Sequence, residues 1–112
     1  MSANMLLAAA FALASPPNPA VPVATPPHHH STAGEATWYG TGIPGHAAAG
    51  PALRQALGAS WRGRAVSING IRLLLTDWCA CGGKHLIDLS PRDFRAVCGS
   101  LSRGVCHVSV RW

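Results

Sequence analysis

Acidic side chains are scarce in this sequence: only four of the 112 residues are aspartate or glutamate. Acid–base catalysis often uses two carboxyl groups, one to donate a proton and one to act as base or nucleophile. Two of the four acids are poorly suited to that chemistry. Glu35 begins the first predicted strand beside a flexible linker, and Asp93 stands where an acid stabilises the start of a helix. Asp77 and Asp88 therefore remain as the candidate site acids.

Apolar runs long enough to span a membrane are lacking as well. Residues 5–13 (MLLAAAFAL) are apolar, but this run is far shorter than the ~20 residues that a spanning helix needs. It fits the core of a signal peptide, and Ala12-Leu13-Ala14 fits a cleavage site before Ser15. We therefore expect residues 1–14 to be a signal peptide. The mature protein would be secreted to the cell wall or periplasm, with no membrane span.

Runs of basic residues are also missing. The formal net charge is +5 and nine residues are Lys or Arg, but these residues are scattered singly and no aromatic platform interleaves with them. We therefore expect no nucleic-acid partner. An excess of arginine suits an anionic partner such as a wall polymer.

A proline-rich segment follows the predicted signal peptide. Proline removes backbone donors and favours extended chain, so residues 15–33 are predicted to be a disordered Pro/His-rich linker. The three histidines at 28–30 are interpreted as solvated rather than as a metal site, because no further ligand accompanies them. The folded domain is expected at 34–112.

Within this domain, alternation and turn signals predict five strands and a closed barrel, since closure removes sheet edges. Asn69-Gly70 is a strong hairpin signal, and Ser90-Pro91 opens a helix that Gly99 ends. Residues 41–50 are predicted to be a loop of small residues. The predicted strands are 36–39, 64–68, 71–75, 86–89 and 105–112, and the predicted helical segments are 51–57 and the one after Ser90.

Four motifs occur in a characteristic order: Ala-Thr-Trp-Tyr-Gly at 36–40, a small-residue loop ending at Gly50, Thr76-Asp77, and Ile87-Asp88-Leu89-Ser90 followed by Phe94. This order resembles the double-psi β-barrel domain of the rare-lipoprotein-A-like proteins, which are related to barwin and the expansins. The resemblance implies a mostly β fold, a small six-stranded double-psi β-barrel with one or two short helices. It also implies an open groove that binds peptidoglycan or another cell-wall glycan.

For activity, the resemblance leaves several alternatives. Catalytic members of the family have an aspartate at the position of Asp77 and a second acid directly after the small-residue loop, where this chain has Pro51. A lytic transglycosylase would use Asp77 as acid and then base, since the sugar's own hydroxyl is the nucleophile. The alternatives are a non-catalytic, expansin-like wall-loosening or binding module and a barwin-like defence or inhibitory protein. The sequence leaves open whether the protein is an enzyme.

The site residues carry specific expectations. Partial burial of Asp77 against Trp78 would disfavour its charged form and suit a general acid; alternatively, Asp77 accepts hydrogen bonds in the turn that follows. Asp88 should point out of the core, because its neighbours Ile87 and Leu89 should point inward, and it either binds sugar or ties the loop together. The predicted substrate-binding residues are Trp38, Tyr39, His46, Trp78, His85 and Asp88.

Four cysteines in a small exported domain favour disulfides. Cys98 with Cys106 is the simplest pairing, and Cys79 with Cys81 would close a very small ring; a crossed set and a zinc site of four thiolates are the alternatives. We expect two disulfides, no metal, no cofactor and a monomer.

Overall fold

A computed structural model describes residues 30–112, which form a closed barrel of six strands with two short helices. The strand order around the barrel is β1-β5-β2-β4-β3-β6. The predicted signal peptide, His28, His29 and the rest of the linker up to residue 29 lie outside the described residues. The elements are β1 (Ser31–Trp38), β2 (His46–Ala49), α1 (Pro51–Leu57), β3 (Ala65–Ile68), β4 (Ile71–Trp78), β5 (His85–Leu89), α2 (Pro91–Cys98), a 3-10 turn (Leu101–Arg103) and β6 (Cys106–Arg111).

Two parallel strand pairs organise the barrel. β1 runs parallel to β5, and β2 runs parallel to β4; the remaining neighbours are antiparallel. The predicted mostly β barrel with two short helices is thereby confirmed. No helix among residues 30–112 is both long and apolar enough to cross a membrane.

The β3–β4 hairpin forms at the predicted turn. Asn69 and Gly70 have φ angles of 51° and 81°, and Ile68 pairs with Ile71. Positive φ at both central residues is what a tight hairpin turn of this handedness requires, and Asn-Gly is the dipeptide that tolerates it best.

The prediction of a loop over residues 41–50 was wrong for its second half. Residues 46–49 form β2, which lies between β4 and β5 in the centre of the barrel wall. Its three alanines are at most 3% exposed, although alanine has a low strand propensity. Small side chains fit here because β2 is covered on both edges and packs closely, so tertiary context overrides propensity.

The first strand is longer than its sequence signal. β1 begins at Ser31, because Ser31 pairs with Arg111 and Thr32 with Val110 of β6. The His30 ring stacks on Trp112 at 5.9 Å between centroids. Pairing with the last strand therefore extends the barrel to the edge of the proline-rich segment.

The start of α2 holds the loop before β2. As predicted, Ser90 caps the helix by accepting the Asp93 N–H at 3.1 Å. Asp93 is only 2% exposed, and its Oδ2 also accepts the Gly45 N–H at 2.7 Å and the Ser90 hydroxyl at 2.9 Å. This carboxylate therefore connects α2 to the turn that enters β2.

Candidate functional site

A β-bulge in β5 places two polar side chains together. Glu35 of β1 pairs with His85, but the next residue, Ala36, pairs with Ile87, so Leu86 is an extra residue in β5. Residues three apart on a regular strand point to opposite faces. The extra residue turns His85 to the side of Asp88, and His85 Nε2 lies 3.2 Å from Asp88 Oδ1.

Thr37 completes this cluster from the neighbouring strand. It pairs directly with Asp88 across β1 and β5; its hydroxyl donates to Asp88 Oδ1 and contacts His85 Nε2. Because the hydroxyl proton goes to the carboxylate, Nε2–H of His85 is the donor to the Thr37 oxygen. Asp88 is thus held by two side chains, in agreement with the tethering role considered from the sequence, and it lies between the buried Ile87 and Leu89 as expected.

The other parallel pair has a corresponding bulge. Ala47 of β2 pairs with Leu75, but Ala48 pairs with Asp77, so Thr76 is an extra residue in β4. After this bulge Asp77 and Trp78 are both exposed, and the indole of Trp78 is 53% accessible. Bulges commonly re-aim side chains next to functional sites. The two bulges occur in the two parallel pairs of the barrel.

Asp77 is not partly buried against Trp78, so that expectation was wrong. Its side chain is exposed, and its Oδ1 accepts the Trp78 N–H at 2.8 Å. The reason is the bulge, which carries the strand end outward, away from the core. Water therefore has free access to the carboxyl group that was proposed as the acid.

The charges of both acids act on the hydroxyl of Tyr39. This residue follows β1 directly, is half-buried, and its N–H donates to the Leu89 carbonyl at 3.1 Å. Burial raises the pKa of its hydroxyl, and the negative charges of Asp77 and Asp88 raise it further. The hydroxyl consequently stays protonated around neutral pH and can both donate and accept a hydrogen bond. Tyr39, Asp77, Trp78 and Asp88 are hereafter called the groove residues, after the groove that the family resemblance implies.

Arg54 of α1 supports the exposed indole. Its Nη1 donates to the Ala49 carbonyl at 2.6 Å and to the Cys79 carbonyl at 3.0 Å. Its guanidinium carbon lies 5.4 Å from the Trp78 ring centroid and 5.9 Å from that of Trp61. Cation–π contact at these distances favours one orientation of each ring, so Trp78 is held as a platform although half of it is exposed.

The remaining predicted site residues lie at different places. Trp38 packs against the core and its Nε1 donates to the Leu101 carbonyl at 3.1 Å, so its side chain is committed to the region after α2. His46 begins β2, and its Nδ1 lies 3.0 Å from the Thr76 hydroxyl, beside the β4 bulge. Trp61 and Trp112 pack against the core.

Sequence reasoning missed Thr37 and Arg54. Thr37 had one signal, since it alternates with the inward-facing Ala36 and so had to point outward on β1. For Arg54 the chain offered no signal, because its partners are backbone carbonyls in β2 and beyond β4, positions that only the fold brings together.

The cysteines form the disulfides Cys79–Cys81 and Cys98–Cys106. The second bridge joins α2 to β6 and is nearly buried, with both cysteines 5% exposed. The first lies directly after β4, beside His85 and Asp88. The pairing across the helix-to-strand loop, predicted as the simplest, is confirmed, and the crossed set is excluded.

No protein-family model and no curated protein matches this sequence. Among solved structures, the apo form of the Clavibacter michiganensis expansin aligns with a TM-score of 0.56 and 23% identity, over 72% of this chain and 49% of the expansin chain. A single-residue variant of that expansin in complex with cellohexaose aligns with a TM-score of 0.57 and 22% identity over the same shares. This chain therefore spans about half the length of the expansin chains.

A third solved structure, the Streptomyces papain inhibitor, aligns with a TM-score of 0.55 and 25% identity, over 76% of this chain and 96% of the inhibitor. Together with the closed strand order and its two parallel pairs, these alignments show that residues 30–112 have the double-psi β-barrel fold.

Proposed function

We propose that this domain binds cell-wall glycan strands along the groove residues, and does so without cleaving them. The observation that carries the proposal is the exposed ring of Trp78 beside the exposed Asp77 at the end of β4; Tyr39 supports it, because the charges of Asp77 and Asp88 both raise the pKa of its hydroxyl. Flat aromatic faces pack on the apolar faces of sugars, and the surrounding carboxylates accept hydrogen bonds from sugar hydroxyls.

Two further observations support an extended cell-wall glycan as the ligand. The expansin that shares the fold was solved with cellohexaose, an unbranched β-linked glucan, and a groove of this chemistry suits an extended glycan strand. We propose peptidoglycan as the polymer. The two disulfides support an oxidising compartment outside the cytoplasm, where this polymer is found.

Binding without cleavage is favoured by the distribution of acids. The residue after Gly50 is Pro51, the first residue of α1, and Asp93 is buried in the helix cap. Asp77 is exposed to solvent, whereas a general acid profits from a site that excludes water. Asp88 is already held by Thr37 and His85.

The test is depletion of the purified protein from solution by insoluble peptidoglycan, compared with cellulose. We expect saturable binding to peptidoglycan that falls by about tenfold in Asp77→Asn, because a charge-assisted hydrogen bond contributes ~1.5–3 kcal/mol. Glu35→Gln is the matched control, since Glu35 faces His107 of β6 rather than the groove, and its binding should not change. Equal binding of wild type and Asp77→Asn would contradict the proposed groove.

The same incubation tests the transglycosylase alternative. We expect no release of sugars with anhydro ends from stripped glycan strands. Release of such products by wild-type protein, lost in Asp77→Asn, would instead establish lytic cleavage with Asp77 as the acid.

A second candidate function is inhibition of a papain-like cysteine protease. It is favoured by size, because the alignment covers nearly the whole of the Streptomyces papain inhibitor but only half of the expansin chain. A titration of papain activity with the oxidised protein tests it: a stoichiometric loss of activity would support inhibition, and unchanged activity at large molar excess would exclude it for this protease. The glycan proposal predicts unchanged activity.

A further inference from the structure

A cluster of metal-ligating side chains shares Asp88 with the groove residues but, as a set of four ligands, has no part in the proposed glycan binding. Cys79, Cys81, His85 and Asp88 each offer one ligand atom, and these four atoms lie within 4.8 Å of one another. All four residues are half-buried. We propose that, once the Cys79–Cys81 disulfide is reduced, these four side chains bind one Zn²⁺ or a similar thiophilic divalent cation.

The ligand types and spacing fit zinc. Zinc takes thiolate, imidazole and carboxylate ligands at ~2.3 Å for sulfur and ~2.0–2.2 Å for nitrogen and oxygen, so in a tetrahedron neighbouring ligand atoms lie about 3.3–3.8 Å apart. His85 Nε2 and Asp88 Oδ1 are already 3.2 Å apart. The β5 bulge already brings these two atoms together, and zinc binding additionally requires the His85 proton to move from Nε2 to Nδ1, so that Nε2 offers its lone pair.

The two sulfurs must move apart from bonding distance once the disulfide opens. The segment that carries them can adjust, because Ala80 is exposed and Gly82 and Gly83 follow it. A Cβ added at either glycine would meet nothing within 4 Å. Both sulfurs can therefore separate while remaining beside His85 and Asp88.

Thr37, which is not one of the four proposed ligands, orients the carboxylate of Asp88. Thr37 donates its hydroxyl proton to Asp88 Oδ1, which holds the carboxylate in place and leaves a second lone pair on Oδ1 for a cation. Partners of this kind fix the direction of a metal ligand and raise affinity. Thr37 is thus a positioning residue for the proposed site.

The redox step is a two-electron exchange with a dithiol. The dithiol loses two electrons and two protons and becomes a cyclic disulfide, while the Cys79–Cys81 bond breaks to give two thiols. Zinc then displaces both thiol protons to solvent. Cys79 and Cys81 are half-buried, whereas Cys98 and Cys106 are 5% exposed, so a dithiol reaches the first bridge more easily.

The experiment is a Co²⁺ titration of the full chain after reduction with dithiothreitol and its anaerobic removal. We expect one Co²⁺ per chain, with a thiolate-to-cobalt charge-transfer band in the near ultraviolet that Zn²⁺ abolishes by displacement. The oxidised protein should show no such band. His85→Ala should weaken Co²⁺ binding more than about 100-fold, because the loss of a ligand costs more than the loss of a residue that only hydrogen-bonds to a ligand. The control Lys84→Ala should bind Co²⁺ like wild type.

A second measurement needs no substitution. Zn²⁺ should protect Cys79 and Cys81 of the reduced wild-type protein from iodoacetamide, as read by peptide mass spectrometry. Absence of the cobalt band in reduced wild type, equal affinity in His85→Ala, or full alkylation in the presence of Zn²⁺ would each overturn the proposal. Glycan binding is measured on the oxidised protein, so it succeeds or fails independently of this result.

Discussion

Replacing Asp93 with asparagine should lower the free energy of unfolding by about 2–3 kcal/mol at neutral pH, since a buried, charge-assisted set of hydrogen bonds loses its acceptor. The Gly45 N–H, the Ser90 hydroxyl and the Arg92 guanidinium all donate to this carboxylate. An asparagine offers one acceptor oxygen and turns an NH₂ group toward the remaining donors. Urea unfolding followed by tryptophan fluorescence measures the change.

The pH dependence provides a second readout of the same variant. Burial alone would raise the pKa of Asp93, but the hydrogen bonds from Gly45, Ser90 and Arg92, together with the charge of Arg92, lower it below its ordinary value. A carboxyl with a lowered folded-state pKa stabilises the fold above its unfolded pKa of ~3.9, and this contribution is lost as pH falls through the folded value. Wild type should therefore lose stability in acid more steeply than Asp93→Asn, and the two should converge at low pH.

Glu35→Gln is the control for charge removal. Glu35 is partly exposed, and the His107 ring nitrogen lies 3.9 Å from its carboxylate. Surface changes of this kind stay within about 0.5 kcal/mol. If Asp93→Asn were as stable as Glu35→Gln at neutral pH, the connection between α2 and the β2 turn would not be a major source of stability.

Trp78→Ala should reduce affinity for peptidoglycan by about 30-fold, equivalent to ~2 kcal/mol. The indole of Trp78 is the largest exposed apolar side chain among the groove residues. The guanidinium carbon of Arg54 lies 5.4 Å from its ring centroid and favours one orientation of the ring. Because the ring is already oriented before binding, little rotamer entropy is lost when a sugar packs on it. Depletion of the protein by insoluble peptidoglycan measures the affinity.

Two further variants test whether the oriented Trp78 ring, rather than any exposed apolar side chain, accounts for glycan binding. Val105→Ala removes an exposed apolar side chain before β6, and its binding should match wild type. Arg54→Lys keeps the charge but cannot reproduce the two carbonyl hydrogen bonds, so its affinity should fall between wild type and Trp78→Ala. An unchanged affinity in Trp78→Ala would show that the Trp78 ring is not part of the binding surface.

Local signals predicted those parts of the fold that depend on local chemistry. The Asn69-Gly70 turn, the Ser90 cap and the alternation of β6 each follow from residues close in sequence, and each formed as expected. β2 could not be predicted in this way. Its alanines become a strand only because β4 and β5 cover both of its edges.

The site was predictable in composition but not in arrangement. The scarcity of acids pointed to Asp77 and Asp88, and the charges of both raise the pKa of Tyr39. The pairing of Thr37 with Asp88 spans 51 residues of sequence, and the exposure of Asp77 results from an extra residue in β4. A bulge has no reliable signature in a single sequence, because any residue type can be the one left unpaired.

The extra residue in β5 also has a consequence for how the barrel tolerates a change in strand length. Deleting Leu86 would restore an uninterrupted register with β1 and would leave His85 two residues before Asp88, so that a regular strand would still place both side chains on the same side. The bulge can therefore absorb one additional residue in β5 while the imidazole and the carboxylate stay next to each other.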